Sequence, residues 1–182
     1  DSVIMYQFIF FILYFLIIVL SLVSVSNYAS SIKTNLPTLH DENLAIETVY
    51  TGLRFPTNMA FLGPDYILVL EKNEGTVQRL VNGAIFSNPL LDVDVSPIEE
   101  RGMLGIAIEN NKSESQSPIV FLYYTRPENQ SVPDGRIAAS NNVYRFELVD
   151  NKLVNPKILF HLPIQTQGQH NGGVILIGPD KN

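Results

Sequence analysis

Gln167-Gly-Gln-His-Asn-Gly-Gly-Val-Ile-Leu-Ile-Gly-Pro-Asp180 sets a histidine and two glycines before a short apolar run that ends in a turn. The run 174–177 is rich in β-branched residues and suits a buried strand. Gly172 and Gly173 lack a Cβ, so another backbone or a flat ligand can come close to them. His170 then stands at the mouth of a strand, next to open space, and histidine is a common general acid or base. Those properties suit a general base, and they suit an ordinary loop histidine as well. The closing Gly178-Pro-Asp180 repeats Gly63-Pro-Asp65, which also follows a short apolar run.

Working outward from that repeat, the intervening sequence divides into short strands. Residues 45–50 alternate as a strand, and Pro56 bars a central ladder position just after them. Residues 58–62, 66–71 and 76–81 form three more, separated by Gly63-Pro64-Asp65 and by Lys72-Asn73-Glu74-Gly75. Asn82-Gly83 is a hairpin signal, with a fourth strand expected within 84–93. Four short antiparallel strands of this kind make one blade of a propeller. The unit returns as strands at 103–108, 118–125, 142–148 and 157–162, and 174–177 opens a third. A strand phrase that recurs at blade-sized intervals marks radial repetition. The polar stretch 126–140 stretches the second interval as a long loop. The fold class expected is all-β, an incomplete propeller of about two blades plus one strand. Its open edges and faces imply an N-terminal piece of something longer.

The chain has 182 residues, a formal charge of −6 and no cysteine. The basic residues are scattered singly, which argues against a nucleic-acid surface. The absence of cysteine excludes disulfides and thiolate metal sites. Residues 3–25 carry no charge, and about 23 residues at 1.5 Å each reach roughly 35 Å, enough for a hydrocarbon core. Residues 1–26 therefore read as a transmembrane helix or a secretory signal segment, and either places the domain outside the cytoplasm. Residues 27–43, rich in Ser, Asn and Thr and containing His40, read as a linker to the domain at 44–182.

The ordered phrases Gly52-Leu-Arg-Phe-Pro-Thr-Asn-Met-Ala-Phe-Leu-Gly-Pro-Asp65, Ile67-Leu-Val-Leu-Glu-Lys72, Gly75-Thr-Val-Gln-Arg79, Glu100-Arg-Gly-Met-Leu-Gly-Ile-Ala107, Val120-Phe-Leu-Tyr-Tyr-Thr125, Asn142-Val-Tyr-Arg-Phe146 and His170-Asn-Gly-Gly173 resemble the soluble glucose dehydrogenase and aldose sugar dehydrogenase family. Its members are six-bladed propellers that use pyrroloquinoline quinone (PQQ) and calcium. The resemblance implies oxidation of a sugar at its anomeric carbon, with hydride passing to PQQ. It implies that His170 is the general base, and that Glu100, Arg101, Gln169 and Asn171 lie at the cofactor. No metal ligand is assigned, because the family's calcium ligands match positions beyond residue 182. Where the soluble glucose enzymes carry a glutamine that touches the quinone, this chain carries Glu100, which cannot donate as an amide does. Two alternatives stand beside this one. A non-catalytic extracellular propeller is marked by Glu100. A calcium-dependent propeller lactonase would draw on Asp92, Asp94, Glu99 and Glu100. His161 reads as a strand residue facing solvent or a neighbouring blade.

Overall fold

The structure is a computed structural model that describes residues 37–109, 117–128, 137–164 and 169–180. The expected apolar helix at 3–25 lies outside the described residues, as does most of the polar stretch 126–140. Among the described residues no helix is long and apolar enough to cross a membrane. The chain divides into two units, Asp1–Glu47 and Thr48–Asn182. In the first, the described residues hold one turn, in which Leu44 N–H donates to Asp41 O at 3.2 Å and Asp41 Oδ1 accepts from Asn43 N at 2.9 Å. Residues 45–50 form no strand, against expectation; their alternation has no sheet neighbour to bury one face.

Among its described residues the second unit is all-β and holds two antiparallel sheets. The first is built from β1 (Pro56–Gly63), β2 (Tyr66–Glu71) and β3 (Thr76–Val81), with β4 (Ala84–Ile85) and β5 (Leu91–Asp92) both pairing with β3. Pro56 is tolerated because it is the first residue of an edge strand. The expected fourth strand is broken in two. Phe86 and Leu90 still donate to Arg79 O and Val77 O, while residues 87–89 loop out between them. Pro89 has no N–H to give the ladder, which accounts for the break. The second sheet runs β6 (Met103–Glu109), β7 (Ile119–Pro127), β8 (Ala138–Val149) and β9 (Lys152–Pro163) in that order. Two hairpins close on paired left-handed residues, Asn82-Gly83 (φ 50° and 74°) and Asp150-Asn151 (φ 47° and 59°), as two-residue primed turns require.

The sheets share one core. Leu68 and Leu70 of β2, Val77 of β3, Leu90 and Val95 meet Met103, Ile106, Val120, Leu122, Tyr124, Phe146 and Leu153 of the second sheet. Within it, Tyr124 and Tyr144 stack at 5.0 Å between ring centres. The leading strands β1 and β6 lie side by side: Thr57 Oγ1 donates to Met103 O at 2.8 Å, and Asn58 Nδ2 to Leu104 O at 3.3 Å.

A repeat appears where these leading strands begin. β1 has a bulge between Pro56 and Asn58, and β6 has one between Met103 and Gly105. Aligning the bulges sets Phe55 against Gly102. Lys72 N–H then donates to Phe55 O, and Thr125 N–H to Gly102 O, each at 3.0 Å. Aligning Gly63 with Gly178 sets Phe55 against His170. All three residues have positive φ: 44° at Phe55, 129° at Gly102 and 58° at His170. The left-handed bend at His170 is thus the entry to a third unit of the same design. Residues 174–177 are not assigned as a strand, contrary to expectation; Val174 and Leu176 are 80% and 84% exposed. A β-branched run becomes a strand only when a ladder partner is present.

Candidate functional site

The site lies at the end of the sheets where the leading strands begin. The segment Gln169-His-Asn-Gly-Gly173 is held there from three sides. Glu100 Oε2 accepts the backbone N–H of His170 at 2.6 Å. Tyr123, on β7, donates its hydroxyl to the carbonyl of Asn171. Asn141, on β8, donates from Nδ2 to Asn171 Oδ1 at 3.2 Å, and its own Oδ1 accepts from Thr125 Oγ1 at 2.6 Å. Asn171 is 6% exposed, so this network is buried and its hydrogen bonds are strengthened by the low local dielectric.

The five residues expected at the site fall into two groups. Gln169, His170 and Glu100 are exposed, and the Glu100 carboxylate and the His170 backbone are in direct contact. Arg101, at 5% exposure, and Asn171 are buried. Asn171 is engaged by Tyr123 and Asn141, so its visible role is to seat the segment. His161 lies on β9 with Nδ1 3.0 Å from Asn142 Oδ1, on a different strand from the His170 segment.

Gly173 serves close packing of this segment on β6. A Cβ on Gly173 would stand 3.2 Å from Leu104 Cβ, and one on Gly105 would stand 2.0 Å from Gly173 O. Of the two approaches open to such glycines, the backbone approach is the one made at Gly173. At Gly172, with φ 73°, a Cβ would stand 3.6 Å from the Tyr123 hydroxyl oxygen.

Several groups at this end had no distinguishing pattern. Tyr123 sits in an apolar run that reads as plain strand, Thr125 ends that run, and Asn141 lies within the polar Ser140-Asn-Asn142 of β8. Burial pushes the Tyr123 hydroxyl pKa up, which keeps it a donor. Lys72 follows β2; its backbone oxygen accepts Met103 N–H at 2.9 Å, and its Nζ donates to Asn73 Oδ1 and Pro97 O. Burial lowers its pKa. Glu71 ends β2. Its burial favours the neutral acid, but hydrogen bonds from Arg54 N–H, Gln78 and Thr76 outweigh that and hold its pKa below the ordinary value. Among the described residues no three His, Cys, Asp or Glu come together as a metal group. Asp92, Asp94, Glu99 and Glu100 do not form one.

Residues 53–182 match the family described as Glucose / Sorbosone dehydrogenase. The chain belongs to that family. Among solved structures, the PQQ-bound form of aldose sugar dehydrogenase from Streptomyces coelicolor is similar at 30% identity and a TM-score of 0.59, over 75% of this chain and 38% of that one. A glucose dehydrogenase crystal structure matches at 23% identity and a TM-score of 0.48, over 60% of this chain and 30% of that one. No curated protein sequence matches significantly. The chain thus spans little more than a third of the Streptomyces enzyme.

Proposed function

We propose that this chain contributes the His170 end of the active site in a PQQ-dependent aldose dehydrogenase, which oxidises the anomeric carbon of a sugar to a lactone. The observation that carries the proposal is the exposed His170, held through its backbone by Glu100 and through Asn171 by Tyr123 and Asn141. A side chain on so constrained a backbone is preorganised for proton transfer. The family and the likeness to a PQQ-bound relative support the chemistry.

The groups present suit a polyanionic quinone. Gln169 offers an exposed amide, and the Arg101 guanidinium neighbours Glu100 in sequence. The Glu100 carboxylate is spent on the His170 N–H, so its charge is directed at the loop. Gln169 would hold the cofactor, while the buried Asn171 seats the segment and Arg101, also buried, belongs to the support beneath it. PQQ, when bound, supplies the two-electron acceptor for the hydride that leaves the anomeric carbon. The His170 imidazole takes the proton of the anomeric hydroxyl as the carbonyl forms. Calcium, expected by resemblance, takes oxygen ligands, and no residue described here is assigned to it.

The carboxylate at Glu100 also supports a second reading, a non-catalytic propeller that binds sugar or protein. Residues 3–25 further support a domain outside the cytoplasm, anchored or secreted, and protease protection of the full-length protein in vesicles separates those two forms. The enzyme reading is tested by reconstituting the full-length protein with PQQ and calcium and following aldose-dependent dye reduction. Cofactor binding with sugar-dependent turnover is expected. Binding without turnover on any aldose selects the non-catalytic reading.

A further inference from the structure

We infer that Glu100 is the positioning residue for His170: its carboxylate fixes the left-handed strand entry from which the imidazole projects, and does not serve as a cofactor contact. This rests on the dehydrogenase reading of the site.

A residue at positive φ turns its N–H out of the ladder, and that donor then needs a partner from elsewhere. At His170 the partner is Glu100 Oε2, at 2.6 Å and 70 positions away. At the first strand entry a glutamate is again the acceptor, but one residue earlier. There Glu71 Oε1 accepts the N–H of Arg54, beside the left-handed Phe55, at 2.7 Å. At the second, Arg101 N–H donates to Ile98 O at 3.0 Å, just before the left-handed Gly102. Every entry in the described chain thus has a nearby backbone N–H satisfied, two of them by a glutamate.

Glu100 is itself presented rigidly. Glu99 has φ 55° and Gly102 has φ 129°, so the segment is bent on both sides of it. Arg101 behind it is buried, and Gly102 packs on Lys72, whose carbonyl a Cβ would meet at 2.4 Å. A carboxylate on such a support is a fixed acceptor and stronger than an amide oxygen. An amide keeps an acceptor oxygen at the same place, which makes Glu100→Gln the informative partner of Glu100→Ala.

The test uses the full-length protein and reads the His170 amide by residue-resolved hydrogen exchange without PQQ. Glu100→Ala is expected to speed that exchange about tenfold or more, and Glu100→Gln to keep most of the protection. With PQQ and calcium, Glu100→Ala should lower kcat about tenfold while the PQQ Kd changes less than about threefold, and Glu100→Gln should recover most of kcat. Unchanged exchange in Glu100→Ala overturns the inference. A large rise in PQQ Kd with kcat retained at saturation also overturns it, and assigns Glu100 to the cofactor. If the wild-type protein binds no PQQ, the dehydrogenase reading fails, and the exchange measurement still decides whether Glu100 holds the bend.

Discussion

The Tyr123 hydroxyl donates to the carbonyl of Asn171, as the Thr57 hydroxyl donates to the carbonyl of Met103. Asn171 and Met103 each directly follow a left-handed strand entry, so the two acceptors occupy equivalent places in successive units, while the donors come from different strands, β7 and β1. A side-chain hydroxyl from one unit thereby seats the next.

Removing that hydroxyl should loosen the His170 segment without opening the core. Tyr123→Phe is expected to cost about 1 kcal/mol in stability, the worth of one hydrogen bond plus an acceptor left unsatisfied. Urea unfolding of the full-length protein measures it. Thr57→Val should cost a similar amount at the first junction.

His170→Gln in the full-length protein should lower kcat by roughly 10²–10⁴, the usual contribution of a general base, with PQQ affinity nearly unchanged. His161→Gln, on β9, should leave kcat close to wild type. Steady-state rates at saturating sugar, with bound cofactor quantified, check both. A near-wild-type rate for His170→Gln with cofactor bound removes the base role.

Much of the fold was legible because turn chemistry brackets the strands. Residues 66–71 and 76–81 were readable to the residue, bounded by Gly63-Pro64-Asp65 and by the turn at Gly75. The divided fourth strand was not, because the effect of Pro89 depends on which backbone groups face β3. Residues 45–50 and 174–177 carry strand patterns, and a pattern does not supply a partner strand. At the site, His170 was visible through its neighbours in sequence. Its hold by Glu100 was not, since the two lie 70 positions apart and no local pattern links them. The Tyr123 hydroxyl was hidden for a different reason: a tyrosine in a buried strand reads as apolar bulk.

Gly105→Ala should be severely destabilising, by about 1–3 kcal/mol, because the added methyl must displace backbone. Its Cβ would stand 2.0 Å from Gly173 O. Gly63→Ala, where the nearest atom is Tyr66 Cβ at 4.0 Å, serves as the control with little change expected. Thermal unfolding of both variants side by side measures the difference.

Glu71 should contribute to acid sensitivity. Its folded pKa lies below 4.5, so its share of stability is present above that value and is lost as pH falls through the lower folded pKa. Unfolding free energy measured from pH 6 downward should therefore fall less steeply below about pH 4.5 in Glu71→Gln than in the wild type. Identical slopes would show that the carboxylate is not linked to folding.

The hairpin turn at Asp150-Asn151 joins residues adjacent in sequence, while the Glu100 clamp closes a span of 70 positions. Hairpins of the first kind form within microseconds, whereas a long loop closes only against its entropy. On that ground the sheets are expected to assemble before the clamp closes on the histidine. The same order in reverse makes it a place where the protein can open without unfolding. Heat or denaturant at sub-melting levels should then silence His170 before any strand is lost, so loss of activity would precede loss of β-sheet signal.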